Sequence, residues 1–203
     1  MSAEKPLYTP ERALEILRIG NKRRLLQIQK NIDHPEAGQK YKEHRDNLIS
    51  GQNPFAVLVG CSDSRFPPEV IFSNREGDIF VVRTAGHVIE NDAAGSIEYA
   101  VEHLGVPLVV VLGHAKCGAV TAAVNRSEVH GHIFNLIEHI YPAVKKSKDL
   151  PGDPVHNAIN QHVLNTVKHI KKLEPICKKY YEEGRLNIIG ARCHIDSYEV
   201  EWL

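Results

Sequence analysis

Pro54-Phe55-Ala56-Val57-Leu58-Val59-Gly60 runs directly into Cys61-Ser62-Asp63-Ser64-Arg65, and Pro107-Leu108-Val109-Val110-Val111-Leu112-Gly113 runs directly into His114-Ala115-Lys116-Cys117. Short β-branched runs bounded by Pro and Gly predict buried strands of a parallel sheet. In open α/β sheets the carboxyl ends of the strands are where ligands bind. Both polar segments are therefore expected at one sheet edge, where two thiols and an imidazole meet. That donor set is soft and suits zinc, with Asp63 close enough to supply or withhold a fourth ligand.

The flanking sequence alternates strand and helix. Strands are predicted at Phe55–Val59, Asp78–Val82, Leu108–Leu112 and Arg185–Gly190, and Tyr198–Trp202 alternates like an edge strand. A short helix is expected over Glu69–Phe72, and a longer one capped by Asp92, running past Ile97 and Leu104, and closed by Gly105. Another starts at Gly118 and reaches Val124, and Ile133–Tyr180 reads as helical with a break at Leu150–Pro154. The pattern predicts an α/β fold: a central, mainly parallel sheet of four strands plus an edge strand, flanked by helices. Thr9-Pro10-Glu11 opens an N-terminal helix, with Thr9 as cap and Leu14, Leu17, Leu25 and Ile28 forming an apolar stripe on a basic body. Pro35–Ser50 is polar and predicts a second helix. Residues 1–203 are read as one domain, with 1–50 a helical arm expected to pack on a partner subunit.

Length and charge agree with that. The 203 residues are enough for one domain with a sizeable core, and 25 basic residues balance 25 acidic ones. Balanced charge gives no electrostatic reason to expect nucleic acid or an anionic membrane as partner. No apolar stretch reaches the length of a membrane span, and Met1–Thr9 lacks the apolar core of a signal peptide. A cytoplasmic location is expected, and with it reduced thiols. Of the four cysteines, Cys177 and Cys193 lack ligand-like spacing and are read as structural. Cys193-His194 suggests no second metal site, because adjacent side chains on an extended segment point to opposite faces.

Cys61-x-Asp63-Ser64-Arg65, the Arg83-Thr84-Ala85-Gly86 turn and Gly113-His114-x-x-Cys117-Gly118 together resemble the β-class carbonic anhydrases, from about Gln52 to Gly118 and more loosely to the last strand. The resemblance implies a zinc lyase that interconverts CO₂ and bicarbonate. Cys61, His114 and Cys117 would hold Zn²⁺, and hydroxide formed on the metal at near-neutral pH would attack CO₂. Two thiolates raise the pKa of the bound water relative to an all-imidazole site, so activity is expected on the alkaline side. In the family, the residue at Arg65 holds the one at Asp63 away from the metal, and that carboxylate orients the hydroxide. If the pair breaks, Asp63 can coordinate zinc itself, which lower pH should favour. By the same resemblance, Gln52, Phe80 and Tyr99 match the substrate cleft of a plant-like subgroup, and the Gly118 N–H can stabilise the developing bicarbonate. Gln52 would serve the neighbouring subunit's site, which implies a homodimer as minimal unit, with tetramers or larger assemblies left open. A second subgroup has Trp and Val where this chain has Leu58 and Phe66, so its non-catalytic bicarbonate site is not expected here. His87 stands where the family often has Asn, and an imidazole there is a candidate proton relay.

Other readings use the same residues. A closed structural zinc knuckle needs the same donors but takes them from paired short hairpins, whereas these follow separate strands. Asp63 and Arg65 could form an ordinary surface ion pair, Phe80 and Tyr99 could be core aromatics, and Gln52 a loop residue. A carbonyl sulfide or carbon disulfide hydrolase would share the metal frame. A zinc protein without turnover, or a redox sensor built on Cys61 and Cys117, completes the set.

Overall fold

The computed structural model describes residues 10–203, apart from the side chains at 10, 11 and 13, so Thr9 lies outside the described residues. The chain divides into two compact units, Met1–Gln52 and Asn53–Leu203. The first contributes α1 (Pro10–Ile32) and α2 (Gly38–Ser50). Their junction is built around His34 and Gly38. The His34 Nδ1 accepts from the N–H groups of Glu36 and Ala37 at 3.3 and 3.2 Å, which serves the donors left over where a helix begins. A Cβ on Gly38 would lie 2.0 Å from the Ile32 carbonyl oxygen, so only glycine fits. Leu14, Leu17, Leu25 and Leu26 of α1 are exposed. Among the described residues no helix is long and apolar enough to cross a membrane.

The second unit carries the sheet. Its elements run β1 (Ala56–Cys61), α3 (Pro68–Ile71), β2 (Ile79–Thr84), a 3-10 turn (Ala85–His87), α4 (Asn91–Glu102), β3 (Leu108–His114) and α5 (Gly118–Val124). There follow α6 (Ile133–Ser147), α7 (Pro154–Ile170), α8 (Ile176–Glu182), β4 (Asn187–Cys193) and β5 (Val200–Trp202). The strand order is β2-β1-β3-β4-β5. β1 to β4 are mutually parallel and β5 is antiparallel to β4. The expected α/β architecture of four parallel strands and one edge strand is present.

Apolar residues of the central strands alternate between two layers. Val57, Val59, Val109, Val111 and Ile188 pack with Ile97 and Val101 of α4 and Val163 and Val167 of α7. Leu58, Val110, Leu112 and Ala191 pack with Val120 of α5 and Ile137 and Ile140 of α6. Two glycines let α7 approach the sheet. A Cβ on Gly113 would come within 2.6 Å of Val163 Cγ2, and one on Gly190 within 2.7 Å of Val163 Cγ1.

The predicted boundaries shift in informative ways. β1, β3 and β4 each run two or three residues beyond their apolar runs, because pairing continues through Gly60↔Arg83, Cys61↔Thr84, Gly113↔Arg192 and His114↔Cys193. Cys61 and His114 are thus terminal strand residues rather than loop residues. Asp92 is not a cap: α4 starts at Asn91 after Glu90, with no side-chain cap, and Asp92 sits in the first turn, where its charge favours the positive helix end. The helical stretch predicted over Ile133–Tyr180 breaks twice, since α7 ends at Ile170 and α8 begins after Pro175.

Candidate metal centre

Three chain segments converge at the carboxyl end of β1 and β3. At the end of β1 the ladder donates one last bond, Ser62 N–H to the Thr84 carbonyl at 3.0 Å, and a turn then closes through Phe66 N–H to the Asp63 carbonyl at 3.0 Å. Arg83 pins this segment from β2: its Nε donates to the Cys61 carbonyl at 2.8 Å and its Nη2 to the Asp63 carbonyl at 2.6 Å. At the end of β3, His114 is fully buried. Its Nδ1–H donates to the carbonyl of Ala115 at 2.9 Å, so Nε2 carries the free lone pair. Lys116 turns through the left-handed region at φ 56°, which delivers Cys117 to the start of α5. Thr121 Oγ donates to the Cys117 carbonyl at 2.8 Å and secures that turn.

The outcome is a tight donor cluster. Cys61 Sγ, Cys117 Sγ and a ring nitrogen of His114 lie within 4.8 Å of one another, and all three residues are buried. His114 Nε2 is buried without a hydrogen-bond partner, which in a protein interior calls for an explanation. Two thiols beside an unpartnered imidazole nitrogen fit a soft divalent cation such as zinc. The thiols influence each other strongly. Donation from the Cys117 thiol pulls Cys61 down to about 4, with smaller help from His114 and from the N–H groups of Asp63 and Gly86. The same interaction, with burial, pushes the Cys117 thiol up. The Gly86 N–H reaches Cys61 Sγ at 3.3 Å.

Asp63 and Arg65 form a two-point pair beside this cluster. Arg65 Nε donates to Asp63 Oδ1 at 3.0 Å and Nη2 to Oδ2 at 2.7 Å, while the Arg65 backbone N–H also reaches Oδ1 at 3.0 Å. These donors hold the Asp63 carboxyl well below the usual carboxylate range. Asp63 Oδ2 lies 4.0 Å from His114 Nε2.

The remaining predicted residues are more scattered. The rings of Phe80 and Tyr99 are 6.4 Å apart, and Tyr99 is 47% exposed, with the His103 ring 5.3 Å from it. Gly118 is the first residue of α5. Gln52 is exposed and closes the first unit. His87 does not suit a proton carrier at neutral pH: it is 1% exposed, its ring nitrogens have no partner, and burial pushes its basicity well below the ordinary value. Cys177 and Cys193 are buried thiols whose pKa burial raises, Cys177 to about 12. His194 pairs with Glu201 at 2.6 Å, and among the described residues no second metal-ligand cluster forms around Cys193. A cleft of about 550 Å³, lined by residues such as Val88, His139, His162 and Lys168, contains none of the predicted site residues. Sequence reasoning missed the contributions of Phe66, Gly86 and His162. Phe66 stacks on His114 with centroids 5.0 Å apart, and His162 bonds to Gly86 from 76 positions away.

Comparison with known proteins bears directly on this arrangement. Residues 56–200 match the family model described as carbonic anhydrase. Carbonic anhydrase 2 of Mycobacterium tuberculosis is 37% identical over 195 residues, covering 94% of this chain and 91% of the relative. The carbonic anhydrase of Mycolicibacterium smegmatis is 40% identical over 172 residues, covering 83% and 82%. Among solved structures, one from a study of two tetrameric β-carbonic anhydrases of Sordaria macrospora superposes with a TM-score of 0.70 at 26% identity, covering 90% of this chain and 97% of the other. With Cys61 and His114 ending neighbouring parallel strands, Cys117 one turn beyond, and these relatives, the chain belongs to the β-class carbonic anhydrases.

Proposed function

We propose that the chain binds Zn²⁺ through Cys61, His114 and Cys117 and catalyses the reversible hydration of CO₂ to bicarbonate and a proton. The carrying observation is the buried triad of donor atoms within 4.8 Å, together with the unpartnered His114 Nε2. Zinc at such a site supplies a Lewis acid that brings the pKa of a coordinated water toward neutrality.

The protein's own groups do the positioning. His114 offers Nε2 because Nδ1 is committed to the Ala115 carbonyl. Asp63 stays ionised because Arg65 holds both of its oxygens, and the remaining lone pair of Oδ2, 4.0 Å from His114 Nε2, can accept a hydrogen bond from a hydroxyl at the site. The backbone N–H of Gly118, first in α5, is suited to hydrogen-bond the nascent bicarbonate. Phe80 and Tyr99 supply apolar surface for CO₂ in the plant-like manner, and Gln52 acts on the site of a second copy. A homodimer in the cytoplasm, built on the exposed leucines of α1, completes this reading.

Zinc stoichiometry and stopped-flow CO₂ hydration on the same preparation test the proposal. One zinc per chain and rapid hydration are expected. A zinc-loaded protein that hydrolyses carbonyl sulfide or carbon disulfide but leaves CO₂ untouched would replace this activity with the alternative on the same frame.

A further inference from the structure

His162 lies on α7, remote in sequence from every proposed ligand, and is 4% exposed. Burial pulls its basicity down to about 4, so the ring is neutral at physiological pH. A neutral imidazole has one N–H. The Nε2 of His162 sits 2.9 Å from the Gly86 carbonyl, which can only accept, so the proton is on Nε2. The other nitrogen, Nδ1, is buried without a partner. A lone pair left unpaired in the interior costs free energy, and an apolar residue on that face of α7 would avoid the cost. The donated bond to Gly86 is what the imidazole provides in return.

Gly86 occupies a constrained place. Its φ is +61°, and a Cβ there would lie 2.9 Å from Ile140 Cδ1 and 3.1 Å from Ala119 Cβ. With no side chain of its own to hold it, the residue is fixed by its backbone groups. The carbonyl is gripped by His162, and the N–H points to Cys61 Sγ at 3.3 Å. His87 lies against His162 with ring centroids 4.3 Å apart and planes tilted by 32°, and this contact braces the imidazole. Groups facing the His162 ring are thus Gly86 and His87 from the 3-10 turn, with His139 of α6 near enough to act on it electrostatically.

We propose that His162 is a positioning residue of the metal centre, anchoring the Gly86 carbonyl so that the Gly86 N–H stays aimed at the Cys61 sulfur. The proposal rests on Cys61 being a zinc ligand. An N–H donated to a metal-bound thiolate withdraws electron density from the sulfur and fixes its direction, and losing such outer partners typically weakens metal binding roughly 10- to 100-fold.

The test compares zinc-loaded wild type with His162→Leu, which removes the donor, and His162→Gln, whose amide can place an N–H where Nε2–H stands. Zinc affinity is measured by chelator competition, and the thiolate-to-metal absorption band is recorded after cobalt substitution. Weakening of roughly 10- to 100-fold with a displaced band in His162→Leu, and recovery of both in His162→Gln, is the expected result. A folded His162→Leu protein with wild-type affinity and an unmoved band overturns the proposal, as does a His162→Gln protein as impaired as His162→Leu. Should His162→Leu fail to fold, His162→Asn, polar but too short to reach Gly86, takes its place under the same criteria. A wild type that binds no zinc defeats the metal assignment itself. Normal zinc binding in all variants defeats only the role of His162.

Discussion

Phe66 lies against His114 with ring centroids 5.0 Å apart and planes inclined by 29°, and its backbone N–H closes the turn that carries Asp63. One residue therefore joins the imidazole on β3 to the backbone turn after β1 that carries Asp63. It is fully buried, and it fits because Gly60 has no side chain: a Cβ there would approach Phe66 Cε1 to 3.0 Å. Phe66→Ala removes a buried ring and leaves a cavity, with an expected loss of about 3–5 kcal/mol. Denaturant unfolding of the zinc-loaded protein measures it, and chelator-accessible zinc should rise in parallel because His114 loses its lateral support.

Replacing Arg65 by Met should free Asp63. In the wild type the Arg65 donors hold the Asp63 carboxyl below its ordinary value. The stabilisation from that pairing is complete above the ordinary carboxylate range and disappears as pH falls through the depressed folded value. Without Arg65 the carboxyl returns toward its ordinary value, so the Asp63 titration followed by carbon NMR moves up in pH. Turnover should drop by on the order of 10²-fold, because a carboxylate no longer held in place is a misplaced one. An Asp63 titration that ignores the substitution would contradict the pairing.

Zinc uptake should release about one proton near neutral pH. In the metal-free site the Cys117 thiol pulls Cys61 well below the ordinary thiol value and is itself pushed up, so the pair is expected to hold one proton between its sulfurs. Binding requires both sulfurs as thiolates, so affinity rises with pH as the Cys117 proton becomes easier to remove. Calorimetry in buffers of different ionisation enthalpy counts the protons. Release of two at pH 7 would mean that the sulfurs do not share a hydrogen bond.

Gly113→Ala should destabilise by about 1–3 kcal/mol through overpacking, since the new methyl would meet Val163 Cγ2 at 2.6 Å and Ile159 Cγ2 at 3.2 Å. Thermal unfolding followed by circular dichroism reads the change. Combining it with Val163→Ala should recover part of the loss, because the two positions compete for the same space.

Element types were legible because the apolar runs of β1 and β3 are continuous, as strands covered on both faces must be. Their ends were not, because ladder pairing is non-local: nothing near Cys61 announces that Thr84 will extend the strand past Val59. The donor set was legible from Cys61, His114 and Cys117 directly following predicted strands. Arg65 beside Asp63 was legible too, being two positions away. The supports were not. His162 reads as one polar position in an amphipathic helix, and its tie to Gly86 exists only once α7 lies on the sheet. The sequence likewise shows His87 beside the Gly86 turn but not its burial, which depends on packing that a local pattern does not carry.

Cys61 and His114 terminate β1 and β3, which sit side by side with β2 on one flank and β4 and β5 on the other. The donors hang from these adjacent inner strands, the β2 rim braces them through Arg83, and the β5 rim lies two strands away from His114. Damage at that far side would have to cross β4 before it reached the imidazole, whereas damage to β2 would be felt by the sulfur at once.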